Sequence, residues 1–573
     1  MKNTLENSRV LIGGAPEGFD GLLLAQLVER ADGPIVHVAR SDTRLAAVRD
    51  ALAFFAPQIP VLEFPAWDCL PYDRISPNHS ISAARMATLA TLADGFDIPA
   101  IILTTVNAAM QRVPAREIVR QSSFTATVGK QVNVDALRSF LVRMGFSQAP
   151  TVTEPGDYAV RGGLIDIFPP GATGPVRLDL FGDVLDGARR FDATTQRTLE
   201  KIGRIELAPV SEVILDEAAI QRFRQNYRHA FGAAGSDDPL YEAVSAGRKH
   251  QGIEHWVPFF HEHMETLFDF LPGAPVVLDE QLDAIRDSRW ESIADQYDTR
   301  ATALKDKSRL GSVYKPVEPA SLYLDDTAWD TALQDRPIRQ LSHSPQHSGP
   351  GVIDAGGRVG RNFAPERLQE NISLFGAVAD HLSNKRKTSR VVLACYSEGS
   401  RDRFATMLHD AEVENFGEAT NYANLPKSKG ALSLVVWGLE SGFETNDLTV
   451  LAEQDILGDR LIRAPQKRKR AENFLTEAQS LTPGDLIVHI EHGIGRYNGL
   501  ETITAAGAPH ECIALEYAGG DRLYLPVENI ELLTRYGNEI GMLDKLGGGA
   551  WQAKKAKLKE RIREMADKLI RIA

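Results

Sequence analysis

The chain has 573 residues with 43% hydrophobic and 25% charged content, which is too long for one core and ordinary for about three to five soluble globular domains. A formal charge of −13 argues against indiscriminate duplex binding by the whole surface and suits protein partners, with local basic faces still open. Cys69, Cys395 and Cys512 are far apart and form no C-x-x-C pair, which points to neither a disulfide framework nor a thiolate zinc site; no run approaches a membrane span, the N-terminus leads into no secretory signal, and a reducing, cytoplasmic setting fits.

The first stretch with a motif is Gly13-Gly14-Ala15-Pro16-Glu17-Gly18-Phe19-Asp20, between the apolar run Arg9 to Ile12 and a helical pattern from Leu22 to Val28. This is where a phosphate-binding loop, G-x-x-x-x-G-K-[ST], belongs. Its glycines let backbone amides wrap a phosphate, its lysine neutralises the terminal oxygens, and its hydroxyl holds magnesium. Gly13 and Gly18 keep the spacing, but Phe19 replaces the lysine and Asp20 the hydroxyl. An aromatic ring contributes no charge and a carboxylate repels a triphosphate, so the loop reads as the frame of a nucleotide-binding domain without its grip. Nothing nearby offers a substitute cation, and an ordinary strand-to-helix turn is the plainer alternative.

Apolar runs and helical patterns then alternate: Ile35 to Val38, Leu45 to Phe55, Val61 to Phe64, Ala83 to Ala93 and Ile101 to Thr104. That rhythm predicts a parallel sheet. The aromatic passage Phe64 to Asp73 interrupts it and reads as a packed loop. From Phe124 to Pro209 strands and turns take over, with one helix from Val134 to Met144 and a hairpin or bulge at Gly162-Gly163. In Val176-Arg177-Leu178-Asp179-Leu180-Phe181, period-two alternation puts Val176, Leu178 and Leu180 on one face and Arg177, Asp179 and Phe181 on the other. A phenylalanine beside an arginine on a polar face is either covered by a second layer, one of many singly exposed apolar residues, or a protein-docking hot spot.

Parallel-sheet character is expected to return after Val213, most clearly at Pro275 to Glu280. An apolar run ending in Asp279-Glu280 is how a strand delivers a magnesium-ordering and a water-orienting carboxylate to a nucleotide. With Phe19 in the loop the pair has no triphosphate to act on, and reads as a degenerate remnant or a plain polar strand end. His255, His261 and His263 punctuate the aromatic run Trp256, Phe259 and Phe260 with no further ligand, so no metal is assigned. Ser342 to Gly360 reads as a linker. Val391 to Cys395, a helix from Ser400 to His409 and Leu432 to Val436 suggest a small α/β domain, and Lys467 to Arg470 a solvated tether.

Pro483 to Tyr536 is all-β, with strands at Leu486 to Ile490, Gly495 to Thr504, Glu511 to Tyr517 and Arg522 to Val527 that close most economically as a small barrel. His489 and His492 read as structural. Trp551, Leu558, Ile562, Met565, Leu569 and Ile572 recur at helical spacing, and so long an apolar stripe is expected to meet a larger partner surface beyond Ala573.

Two stretches resemble a known family, the bacterial transcription-repair coupling factors (Mfd), in their amino-terminal half. Gly484 to Tyr497 with Arg522 to Val527 is similar to the domain by which that family and the CarD-type regulators hold the β subunit of RNA polymerase. Tyr158 to Pro169 with Arg177 to Phe181 is similar to the part of UvrB that binds UvrA. The resemblance implies an α/β multidomain chain: a degenerate RecA-like, UvrB-like parallel-sheet domain with an inserted α+β domain, a small α/β domain, a small all-β Tudor-like barrel and a C-terminal long helix. The implied boundaries are a UvrB domain 1a-like part at 1–123, an insertion at 124–212, a return to the UvrB domain 1b-like part at 213–345, an α/β domain of unknown role at 346–463, a linker at 464–482, the barrel at 483–545 and the helix at 546–573. Implied UvrA contacts are Arg161, Arg177 and Phe181, and implied polymerase contacts are Leu500, Thr502 and Ile503. The expected function is that of an adaptor in transcription-coupled DNA repair with no catalysis and no cofactor of its own. ATP, magnesium and DNA are expected only at a motor outside this chain, and no membrane partner is expected. The alternatives are an ATP-dependent UvrB-like DNA-processing enzyme and a CarD-like transcription regulator.

Overall fold

The computed structural model describes residues 9–31, 33–232, 238–305, 314–369, 371, 373–458, 483–489, 492–505, 508–526, 533–537, 543 and 545–546. The tether at Lys467 to Arg470 and nearly all of the helix expected over 546–573 lie outside them. The chain forms two compact units, Met1–Asp459 and Arg460–Ala573.

The first unit is built on β1 (Arg9–Gly13), α1 (Phe19–Ala31), β2 (Ile35–Ala39), α2 (Asp42–Phe55), β3 (Val61–Phe64), α3 (His79–Ala93) and β4 (Ile101–Thr105). The strands join a seven-stranded sheet in the order Val352–Asp354, β1, Ile338–Leu341, Val276–Leu278, β2, β4, β3, and each neighbouring pair is parallel. Every residue of β2 and β4 is buried, as a strand covered on both faces requires. One face packs α1 and α2 through Val10, Leu24, Val28, Val48 and Leu52. The other packs α3 through Met86, Leu89 and Leu92 onto Val36, Ile102 and Val276. Ser41 caps α2 by accepting from the Arg44 amide, which fixes where that helix begins.

One expectation is overturned here, and the return of the parallel sheet after Val213 is met only from Val276–Leu278 onward. The Ser342 to Gly360 passage is not a free linker, because Val352–Asp354 pairs with β1 and Arg358–Val359 pairs with Phe443–Glu444 of a second sheet. Strands of three and two residues are too short to leave a periodic signal. After Val213 the chain is helical before it re-enters the sheet, with Glu217–Phe231, Pro239–Ser245 and a 3-10 turn at Ile253–Phe259. Phe223 and Tyr227, one helical turn apart, build a core there with Trp256 and Phe260, and it receives Trp67 and Tyr72 from the aromatic passage. That passage is packed, as its aromatic content predicts.

Residues 124–212 form a six-stranded sheet in the order Thr198–Lys201, Val184–Phe191, Val176–Phe181, Leu164–Ile167, Asp157–Arg161, Ser147–Gln148. The helix Val134–Arg143 covers one face through Leu137, Phe140 and Leu141, against Ile165, Ile167, Val176 and Leu178. The insertion returns at a buried ion pair: Arg85 Nε of α3 lies 2.5 Å from Glu212 Oε1, Trp67 Nε1 donates to the same oxygen at 3.1 Å, and the guanidinium sits 4.2 Å from the Phe64 ring centroid. A second α/β sheet follows in the order Arg358–Val359, Phe443–Glu444, Leu448–Ala452, Arg390–Cys395, Leu432–Val436, Phe416–Glu418, flanked by the helices Leu374–Lys385 and Glu398–Asp410.

The second unit is a five-stranded antiparallel sheet in the order Arg522–Pro526, Ala508–Glu516, Gly493–Ala505, Leu486–His489, Leu533–Gly537. Ile487, Tyr497, Ile513, Leu515, Tyr517 and Leu525 form its core. Its last strand, Leu533–Gly537, is absent from the sequence-based reading.

Arg85 and Glu212 are 0% and 2% exposed, so removing one charge strands the other in the core. Arg85→Met is expected to cost about 3–5 kcal/mol; Arg85→Met/Glu212→Leu recovers most of it, and urea unfolding midpoints measure both. Burial pushes the His255 imidazole down to about 4. Against an unfolded value of about 6.5, the unfolded state binds more protons between those limits, so this group's contribution falls as pH drops from 6.5 to 4. The loss is about 3 kcal/mol, and a pH series of unfolding curves in His255→Leu is expected to lack it.

Candidate functional site

Three places carry the residues that the sequence singles out: the loop after β1, the open face of the inserted sheet, and the five-stranded sheet of the second unit.

The loop leaves β1 and enters α1 at Phe19, with Gly14 and Gly18 in the left-handed region at φ +62° and +88°. In a phosphate-binding loop such turns aim amides at an anion. Here the amides already have acceptors. Gly14 N–H donates to Ser344 O and Ala15 N–H to Ser342 O, both at 2.9 Å, Phe19 N–H donates to Pro16 O at 3.1 Å, and Gly18 N–H donates to Asp20 Oδ1 at 3.1 Å. The space above is filled too. A Cβ on Gly13 would stand 2.3 Å from Gln346 Cγ, and one on Gly18 would stand 2.7 Å from Leu439 Cδ1. Phe19 is buried, its ring centroid 5.7 Å from that of Phe443, in a cluster with Phe54, Phe55, Trp437 and Leu439.

Asp20, fully buried, pairs with Arg44 of α2. Arg44 Nε also lies 3.4 Å from Asp279 Oδ2, at the carboxyl end of Val276–Leu278. Arg40 pairs with Glu17 and sits 3.5 Å from Asp279. Glu280 accepts from Ser342 Oγ at 3.0 Å and stands 2.8 Å from His343 Nδ1. Burial draws the Arg40 guanidinium down, but the Glu17 hydrogen bond and the charges of Asp279, Glu17 and Glu280 outweigh it and hold it above its ordinary value. The expectation that no cation stands near the loop is therefore corrected: Arg40 and Arg44 are both there, and both are taken by carboxylates. The missed signal is the position of Arg44 in the buried stripe Arg44, Val48, Ala51, Leu52 and Phe55 of α2. A cation on an apolar stripe calls for a buried anion.

On the inserted sheet, register puts Ala159 opposite Asp166 and Asp166 opposite Arg177, while Arg161 faces Leu164 and Leu164 faces Asp179. Residues directly opposite share a face, so Arg161, Arg177 and Phe181 lie on one side, away from the helix-covered core. Arg177 donates from Nε and Nη2 to the two oxygens of Asp166 at 2.7 and 2.9 Å, and lies 4.8 Å from the Phe191 ring centroid. That hydrogen bond, working against partial desolvation, holds the Arg177 guanidinium above its ordinary value. Arg161 donates to Pro150 O at 2.5 Å. A small second layer of Val152, Ala159, Phe168 and Phe191 covers the part of this face near Arg177. It stops short of Phe181, which is 82% exposed at the hairpin end, opposite Val184.

In the second unit, Leu500, Thr502 and Ile503 share the long strand Gly493–Ala505 but not a face. Leu500 and Thr502 have one parity and Glu501 and Ile503 the other, and Leu500 packs on the core while Thr502 is exposed and Ile503 half-buried. The three do not make one flat patch. Ile503 pairs with His510 across the strands.

Comparison with known proteins agrees with this layout. Residues 124–212 match the UvrB interaction domain, and residues 481–537 match the CarD-like/TRCF RID domain. The chain is 31% identical over 577 residues to the transcription-repair-coupling factor of Escherichia coli (strain K12), covering 98% of this chain and 48% of that protein. The chain belongs to the transcription-repair-coupling factor family. The family member of Myxococcus xanthus is 30% identical, with 99% of this chain and 49% of that protein covered, and the member of Rickettsia bellii is 28% identical, with 94% and 46% covered. The chain thus spans about half the length of the curated relatives it matches. Among the described residues no group of three or more His, Cys, Asp or Glu is arranged to hold a metal ion, and no helix is long and apolar enough to cross a membrane.

Phe181 and Arg177 separate cleanly on stability. Phe181→Ala is expected to shift the unfolding free energy by no more than about 0.5 kcal/mol, because the ring is exposed. Arg177→Ala leaves Asp166 without its partner and is expected to cost about 1–3 kcal/mol. Denaturant titration of the two variants checks this.

Proposed function

We propose that this chain is the adaptor portion of a transcription-coupled repair factor, recruiting UvrA through the open face of residues 124–212 and binding the RNA polymerase β subunit through the sheet of residues 481–537. The observation that carries the first contact is Phe181, 82% exposed on the same face as Arg161 and the Asp166-oriented Arg177, inside the matched UvrB interaction domain. An exposed aromatic ring beside a guanidinium whose geometry is fixed is what dominates protein interfaces, since neither residue loses much freedom when a partner covers it. The polymerase contact is supported by the domain match and by Ile503, an apolar residue half-open on a strand of a small sheet. The chain itself is proposed to run no nucleotide chemistry and to need no ATP or magnesium, because the loop after β1 holds its own side chains. DNA contact is assigned to a motor outside these residues. The compartment is the cytoplasm, where both partners work.

The two docking faces are expected to fail independently. Phe181→Ala should lower capture of purified UvrA at least about tenfold, the loss of roughly 1.4 kcal/mol, while leaving polymerase β-subunit binding intact. Ile503→Arg should do the reverse. A pull-down in which either variant loses both partners, or neither, rejects the assignment.

A further inference from the structure

The loop after β1 holds a carboxylate of its own, Asp20, on the Gly18 amide. We propose that Asp20 stands in for the phosphate and Arg44 for the lost lysine, so that the loop is permanently self-liganded and serves as the anchor for the α/β sheet of residues 358–452. This role is independent of both docking faces.

Three sets of contacts carry it. Asp20 sits in the first turn of α1, where the helix terminus favours an anion, and its Oδ1 accepts the Gly18 amide. Its counter-ion, Arg44, has a side chain only 3% exposed and bridges to Asp279, itself 1% exposed, at the end of the neighbouring strand. A cation buried this deeply between two carboxylates is tolerated only while both remain charged and in place. Finally, what lies on the loop is the rest of the chain. Ala355 N–H donates to Gly13 O at 2.8 Å, Gly357 N–H to Gly14 O at 2.9 Å, and Phe19 packs with Trp437, Leu439 and Phe443. Gln346 crowds Gly13, and Leu439 and Phe443 crowd Gly18. The substitutions at positions 19 and 20 are thus gains rather than losses: Asp20 closes the loop from below, and Phe19 offers an apolar anchor above it. The partner surface fitted to that anchor is the Trp437–Phe443 edge of the second sheet.

If Asp20 mimics a phosphate, removing it should create an anion site that a real phosphate can fill. The experiment uses the full chain as wild type, Asp20→Ala, Asp20→Asn and Asp20→Ala/Arg44→Met, each unfolded thermally in sodium phosphate and in sodium chloride at matched ionic strength. Limited proteolysis of the 342–360 passage runs alongside. Asp20→Ala is expected to melt lower than wild type and to be cut faster in that passage. Inorganic phosphate is expected to raise its midpoint by about 2 °C or more beyond any shift in wild type. The double variant lacks the cation and should show only the general salting effect shared with wild type. Should Asp20→Ala fail to fold, the isosteric Asp20→Asn tests the charge alone: its amide fills the position and admits no phosphate, so it is expected to melt lower than wild type and to be cut faster in the passage in either salt. Wild-type melting and cleavage in the Asp20 variants would overturn the proposal. So would a phosphate shift equal in all proteins.

Discussion

Arg44 between Asp20 and Asp279 is the contact on which the organisation of the first unit turns. A guanidinium held almost wholly out of water needs charged partners on both sides, and here one lies at the start of α1 and the other at the end of a strand from far along the chain. The pair therefore ties together the loop, α2 and the re-entering part of the parallel sheet. Because the Gly14, Ala15 and Gly18 amides donate to Ser344, Ser342 and Asp20, the backbone that elsewhere grips a nucleotide here grips the chain itself.

The same logic recurs at the second sheet, in a milder form. Glu453, buried just past the strand Leu448–Ala452, accepts the Tyr396 amide at 3.0 Å and the Ser400 hydroxyl at 2.5 Å, so its carboxylate sits where the chain turns from a strand into the helix Glu398–Asp410. Open α/β sheets bind ligands at the carboxyl ends of their strands, beside helix N-termini. Both α/β sheets of this unit fill that position with a carboxylate of their own. A scaffold whose crevices are closed in this way is suited to rigid presentation of surfaces, and the surface left open is the outer face of the inserted sheet. The buried Arg85–Glu212 pair holds the insertion where it returns to α3, and the Arg177–Asp166 fork fixes the guanidinium on the open face.

Family membership and geometry meet at the insertion. The UvrB interaction domain match begins and ends at residues 124 and 212, and Glu212 is the residue that locks the returning chain against α3. In the second unit the CarD-like match covers a sheet whose core is small, with Tyr497 and Tyr517 among its buried side chains. Ile503 and Leu500 divide between the two faces of one strand because a strand's side chains alternate, so their roles in any contact differ.

Whatever depends on near-neighbour periodicity is legible in the order of the amino acids. Strands β2 and β4 are largely apolar, broken by His37 in β2 and ending in Thr104-Thr105 in β4, because both their faces are covered, α2 shows its stripe, and the alternation in Val176 to Phe181 isolates Arg177 and Phe181. That order also carries the absence of lysine and hydroxyl from the loop, since those are statements about single positions. The tertiary structure alone decided what replaced them. Arg44 is 24 residues from Asp20 and 235 from Asp279, and no spacing rule links groups brought together by α2 packing and a distant strand. The covering of the loop by Gln346, Leu439 and Phe443, and the capture of Val352–Asp354 by β1, rest on contacts more than 300 residues apart in sequence. Periodicity reports the environment of a residue; it carries no record of which remote residue supplies that environment, because that pairing is set by chain topology and the volume left to fill.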